Sequence, residues 1–203
     1  MATPLSNFIR KLLLAKNFGL GLVEAILVIG MIGIFLSIVV PALQTFNQSQ
    51  TIKTAAVNLK SNLRQAQDNA YSGRKEDVGG ACTTGTSLIG WYANFDFLTN
   101  TGYKIRGVCS DTYEFSGKNV NFPSGVVIVA IERILPLPVT NTSSLFTLFR
   151  SARNDTGFYS SICLPACPGT EISGSVYKIT LGLSSARHYI YIKSTGEIYD
   201  SKN

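Results

Sequence analysis

The chain has 203 residues, 18 of them lysine or arginine and 12 aspartate or glutamate, for a formal net charge of +6. That length holds one medium domain plus an appended segment and leaves no room for several large domains. Three of the basic residues, Arg10, Lys11 and Lys16, precede the first apolar run; 18 less these three leaves 15 against 12, too small a surplus to mark a strongly basic nucleic-acid binder by composition.

From Leu20 to Leu43 the chain is apolar, and Glu24 is its only charged residue. These 24 residues at about 1.5 Å each would extend roughly 36 Å as a helix, enough to cross a bilayer. The basic residues before the span place the N-terminus in the cytoplasm and everything after Leu43 outside it. A secretory signal is cut behind its apolar core at small residues, and no Ala-x-Ala site follows Leu43. A plain anchor accounts for the length but not for Glu24, because a carboxylate at membrane depth is costly and needs a partner. No cation lies nearby in the sequence. An α-amine released by cutting after Gly19 would supply one, with Leu20 as the new N-terminus.

Gly19-Leu20-Gly21-Leu22-Val23-Glu24 resembles the cleavage site of type IV pilins and pseudopilins: a glycine, an apolar residue, then a glutamate four positions on. Gly30, Gly33 and Pro41 match the helix-loosening positions of pilin stems. Leu20 stands where family members usually carry Phe, and Gly21 where a hydroxyl residue is common. The resemblance implies a leader at 1–19, cut by a prepilin peptidase between Gly19 and Leu20, with N-methylation of Leu20. It further implies that Glu24 pairs with the Leu20 amine of a neighbouring subunit. The implied partners are other pilin or pseudopilin subunits, an assembly platform protein and an ATPase. The implied location is the inner membrane, crossed once, and then a cell-surface or periplasmic filament.

After the apolar span the periodicity stays helical. Ile52, Ala56, Leu59, Leu63, Ala66 and Ala70 recur at spacings of four and three, while Lys53, Lys60, Arg64, Gln67 and Asp68 fall largely off that stripe. This predicts an amphipathic stem over 44–73 that stops near Ser72-Gly73. Two helices broken at Pro41 are the alternative.

Beyond Gly73 the pattern turns to strands. Ser87–Phe97, Tyr103–Cys109, Gly125–Ile131, Leu145–Phe149, Phe158–Cys163 and Val176–Leu183 are expected strands, and His188–Lys193 with Glu197–Asp200 a hairpin around Gly196. Pro136, Pro138 and Asn141–Ser144 read as loop, as does Pro165–Gly169. Residues 74–203 thus read as one extracytoplasmic β domain, and the fold class as α+β: a long N-terminal helix packed on a C-terminal antiparallel sheet domain. Asn58–Ala70 followed by Gly73-Arg74 resembles the stem end of H-type pseudopilins and T-type minor pilins, the GspH/FimT group. Gly90–Asp96 looks like that group's Gly-Trp strand, and Arg187–Ile198 like its closing hairpin.

Cys82, Cys109, Cys163 and Cys167 form an even set in a segment expected to be exported, where disulfides persist. Of three pairings the favoured one joins Cys82 to Cys109 and Cys163 to Cys167, the latter closing a short turn-like loop. A zinc site would use Cys163 and Cys167, but Cys82 and Cys109 are no second close pair and His188 has no ligand-spaced companion, so no metal or other cofactor is expected.

No Gly-x-Ser-x-Gly elbow, metal-binding helix or phosphate-cradling glycine loop organises the polar residues, so no enzymatic activity and no catalytic residue is expected. His188 reads as a structural residue on a strand. The basic residues of the last third, Arg187 and Lys193 among them, interleave with Tyr189, Tyr191 and Tyr199, a composition suited to sequence-tolerant DNA contact. Asp155, Glu171, Glu197 and Asp200 dilute that charge. The expected function is a structural subunit, minor pilin or pseudopilin, of a type IV pilus or type II secretion filament; the alternative is a DNA-binding minor pilin of an uptake pilus.

Overall fold

The computed structural model describes residues 18–75, 82, 86–110, 114–135, 139–151, 156–159 and 175–202. One helix, α1 (Phe18–Tyr71), runs through Pro41 as helix on both sides, so the alternative of two separate helices does not hold. The chain divides into two compact units, Met1–Phe46 and Asn47–Asn203. In the first, the described residues are helix throughout, and all those from Gly21 to Phe46 are exposed.

The second unit takes its form from the stripe visible in the sequence. Ile52, Ala56, Leu59, Leu63, Ala66 and Ala70 are all buried, and each joins one apolar cluster. Alanine at three of the six stripe positions leaves room for large side chains of the same cluster, among them Trp91 and Phe95. α1 stops where expected. Gly73 takes a φ of +64°, its N–H donates to the Ala70 carbonyl at 3.1 Å, and that of Arg74 to the Asn69 carbonyl at 2.9 Å. This double capping satisfies carbonyls that the helix end would otherwise orphan, and glycine takes the left-handed conformation without a Cβ penalty.

Ten strands follow: β1 (Leu88–Asp96), β2 (Gly102–Cys109), β3 (Glu114–Asn121), β4 (Val127–Leu135), β5 (Thr140–Asn141), β6 (Ser144–Arg150), β7 (Thr156–Tyr159), β8 (Val176–Leu183), β9 (Ala186–Lys193) and β10 (Ile198–Lys202). They form two five-stranded sheets, β3-β2-β1-β6-β7 and β10-β9-β8-β4-β5, in which every pairing is antiparallel. The chain therefore enters each sheet twice. Both sheets turn apolar residues to the helix stripe: Trp91, Ala93, Phe95 and Ile105 from one, Ile179, Leu181, Ile190 and Ile192 from the other. The α+β architecture expected from the sequence is thus the observed one.

Several boundaries need correction. β3 falls on residues expected to form no strand, and β7 begins at Thr156 rather than Phe158. The segment read as loop after Pro138 contains the short β5, and Ser144 already belongs to β6. β4 starts at Val127 rather than Gly125, because Gly125 sits in a turn with a φ of +82°. Gly90, at the head of the Gly-Trp strand, is required by packing: a Cβ there would lie 2.0 Å from the Phe149 carbonyl oxygen of the neighbouring strand.

Candidate functional site

Residues Gly21–Tyr71 include a stretch long and apolar enough to cross a membrane, and no part of that stretch is buried within the protein. Leu22, Val23, Ile38, Phe35 and Ile32 lie at successive angles around the helix, and each is about half exposed or more. A helix that is apolar on every side must be covered by something other than its own chain, whether lipid or neighbouring helices. Glu24 is the one acid on this surface, and no described residue pairs with it. Gly19 and Leu20 fall within the helical backbone of α1, four to five residues before Glu24. Gly30 and Gly33 have nothing within 4 Å of a Cβ position, so no described residue demands a small side chain at either place. Thr45 Oγ1 donates to the Pro41 carbonyl at 3.1 Å, and Ser37 Oγ to that of Ile34 at 2.7 Å.

In the second unit the polar edge of α1 is tied to the end of the chain. Lys60 Nζ donates to Asp200 Oδ1, Gln67 Nε2 to the Gly196 carbonyl at 3.1 Å, and Arg64 Nη2 to the Ile198 carbonyl at 3.5 Å. Asp200 Oδ2 lies 3.3 Å from Nε2 of the buried His188. The hydrogen bond from Lys60, aided by His188, holds the Asp200 carboxyl below its usual range against the opposing effect of burial. His188 therefore has the structural place expected of it. Lys60 and Arg64 fall off the apolar stripe, as the helical spacing indicates, and their partners lie more than 130 residues away. The one local clue is the β9–β10 hairpin, whose register sets Asp200 opposite Ile190, diagonal to His188.

Arg187 and Lys193, the expected DNA contacts, occupy opposite ends of β9. The Arg187 guanidinium is spent on its own turn, with Nη1 donating to the carbonyls of Ser184 at 2.6 Å and Ala186 at 2.9 Å. Lys193 pairs with Glu197 at 2.6 Å and lies 5.2 Å from the centre of the Tyr199 ring. The hydrogen bond that Lys193 donates to Glu197 raises the Lys193 ammonium above its ordinary value. Lys178 pairs likewise with Glu132 while facing Tyr189. Tyr191 and Tyr199 stack face to face, 4.8 Å apart and 5° from parallel. The outer face of this sheet carries the expected lysines and tyrosines, but each of these lysines stands beside an acid and the two rings are stacked on one another.

Cys82 and Cys109 form a disulfide with a Cα separation of 5.5 Å, as favoured from the sequence. Cys163 and Cys167 lie outside the described residues, so their pairing is not settled. Among the described residues no group of three or more His, Cys, Asp or Glu side chains could hold a metal.

Comparison with family models, with curated proteins and with solved structures returned no match.

Proposed function

We propose that this chain is a pilin-like structural subunit of a filament, a minor pilin or pseudopilin of the type IV pilus or type II secretion class. The observation that carries this reading is α1: a single helix whose first half is apolar and exposed on every side, with one acid near its start that no described residue pairs with, and whose second half lies in the core of a β domain. In such a subunit the apolar half sits in the inner membrane before assembly and against other subunits' stems afterwards. Glu24 meets the Leu20 amine of a neighbour, which fixes the axial offset between stems. A repeated head-to-tail contact that does not close generates a helical filament. The β domain forms the outer surface. Prepilin peptidase, the platform protein and the assembly ATPase are the partners this cycle requires.

The alternative DNA role draws little support from the site. Phosphate binding needs uncommitted cations, and Arg187, Lys193 and Lys178 are all engaged within the domain.

The test combines intact mass with incorporation. The membrane-extracted protein should begin at Leu20, and Glu24→Ala should still insert and still be cleaved, since removing a membrane-buried carboxylate lowers the cost of insertion. Its recovery in sheared filament fractions should fall by about tenfold, the scale of one lost charge-assisted contact. A mature chain beginning elsewhere, or unchanged recovery of the alanine variant, would refute the reading.

A further inference from the structure

At the end of the second unit where α1 enters, three turns are joined. The Phe122 N–H donates to the Thr101 carbonyl and that of Ile128 to the Asn100 carbonyl, both at 2.8 Å, which ties the β1–β2 turn to the chain between β3 and β4. Val127, the first residue of β4, stands opposite Gly182, close to Ser184 and Ser185 of the β8–β9 turn. That turn meets the helix: Ser185, Ala186 and Arg187 line a hollow with Ser49, Ile52 and Lys53 of α1. The opposite end carries the contacts of Gln67 with Gly196 and of Trp91 with Arg74.

An apolar tip projects from the entry end. Leu98, in the β1–β2 turn, is 86 % exposed, the highest value for any large apolar side chain among the described residues, and Phe97 beside it is 41 % exposed. The tip is held in shape. Asp96 Oδ1 accepts from the Leu98 N–H at 2.9 Å, the Asp96 carbonyl from the Asn100 N–H at 3.0 Å, and the Ser143 carbonyl from the Phe97 N–H at 2.8 Å. Charge at this end is positive. Lys53 and Arg187 have no ion-pair partner among the described residues, and no acid lines the hollow between them. The bonds from Arg187 to the carbonyls of Ser184 and Ala186 use its donors but leave its charge uncompensated. Asp96, at the base of the tip, shares its rim with Lys104.

Apolar side chains on a fixed turn beside uncompensated cations match a lipid interface, where the former enter the acyl boundary and the latter meet anionic headgroups. Two side chains fall far short of the roughly 20–30 residues a side that a stable protein contact engages. A lipid contact needs fewer, because α1 tethers the domain and raises its effective concentration at the surface. Ser49 lies six residues past Leu43, about 9 Å of helix, so a bilayer that holds the apolar run is within reach of the entry end. We infer that Leu98 and Phe97 dock on the bilayer that holds α1, with Lys53 and Arg187 over its anionic headgroups. The contact rests on the membrane-spanning part of the reading above, and it breaks when the subunit leaves the membrane for a filament.

The test uses the full chain in vesicles of phosphatidylcholine and phosphatidylglycerol whose acyl chains are brominated near the headgroup, since bromine quenches a tryptophan only at close range. Trp91 is the only native tryptophan and is buried, so the wild type gives a constant background. Thr99 and Glu197 are both exposed, one beside the tip and the other at the opposite end. Thr99→Trp should be quenched and Glu197→Trp should not. Adding Leu98→Ser to Thr99→Trp should lower the docked-to-free ratio about tenfold, the effect of leaving one leucine in water. Leu98 lies outside the core, so serine there leaves the fold intact. A chain that alkaline carbonate strips from the vesicles refutes the membrane reading and this contact with it. A chain that stays embedded without quenching at Thr99→Trp, as when the tip meets a second copy instead, overturns the contact alone, as does quenching unchanged by Leu98→Ser.

Discussion

Replacing Leu59 by alanine should weaken the second unit far more than the same truncation at Val57, two residues away on the same helix. Leu59 is 0 % exposed within the core cluster, whereas Val57 is 49 % exposed. Leu59→Ala deletes three buried carbons, worth about 2.5 kcal/mol in transfer alone, and the cavity left behind brings the loss to roughly 3–5 kcal/mol. Val57→Ala gives up little buried area and gains a better helix former, so its effect should stay within about 0.5 kcal/mol. For a unit of this size about 1 kcal/mol corresponds to roughly 2–4 °C, so the Leu59 variant should melt about 6–20 °C lower. Trp91 is the only tryptophan, is buried in the same cluster, and its Nε1 donates to the Arg74 carbonyl just past the helix end. Its fluorescence therefore reports on the contact between stem and sheets directly. Comparable small shifts for both variants would mean that the helix stripe is not the core of this domain.

Two further outcomes follow from the polar lock and the disulfide. Asp200 has a folded pKa below its unfolded value, so the stability it contributes is present above about pH 4 and is lost as pH falls through the folded value. Melting temperature should accordingly drop on acidification below about pH 4, and Asp200→Asn should flatten that drop while lowering stability at neutral pH; an identical acid profile in the variant would contradict the Lys60–Asp200 contact. The Cys82–Cys109 bridge spans 27 residues, a loop for which chain entropy gives about 3.5 kcal/mol. Cys82→Ser with Cys109→Ser should lower denaturant stability by about that amount, and peptide mapping of the unreduced chain should recover a Cys82–Cys109 linked fragment.

The sequence disclosed the elements whose patterning is local. The stripe from Ile52 to Ala70 follows helical spacing, and each of its six residues is buried. Val176–Leu183 alternates as a half-buried strand should and is β8 at both boundaries. β3 escaped notice because Gly117, Lys118 and Asn119 are poor strand formers; pairing with β2 and the seating of Phe115 over Gly107 hold it in place. β5 is two residues long, beneath any periodicity signal. The division into two sheets was invisible for a different reason: the chain leaves the first sheet after β3, returns for β6 and β7, and leaves again, and nothing in local sequence encodes such alternation. Site residues divide in the same way. The acid in the apolar span and the Cys82–Cys109 pairing are linear features, whereas the partners of Lys60, Arg64 and Gln67 lie on strands far along the chain. The apolar tip at Leu98 was missed because the turns beside it meet only in the folded domain.

The ties from Lys60, Arg64 and Gln67 to the last hairpin impose an order on biogenesis. About 130 residues separate the helix from these partners, so at roughly 5–20 residues per second the stripe is synthesised some 7–26 s before the strands that finish covering it. During that interval Leu59 and Leu63 have only part of their final cover, and loop-closure entropy must be met before the long-range contacts repay it. The newborn chain thus leaves part of this stripe uncovered until β9 and β10 have been made. A chain cut just before β10 would lose the edge strand of the second sheet and leave its neighbour, β9, unpaired along that side.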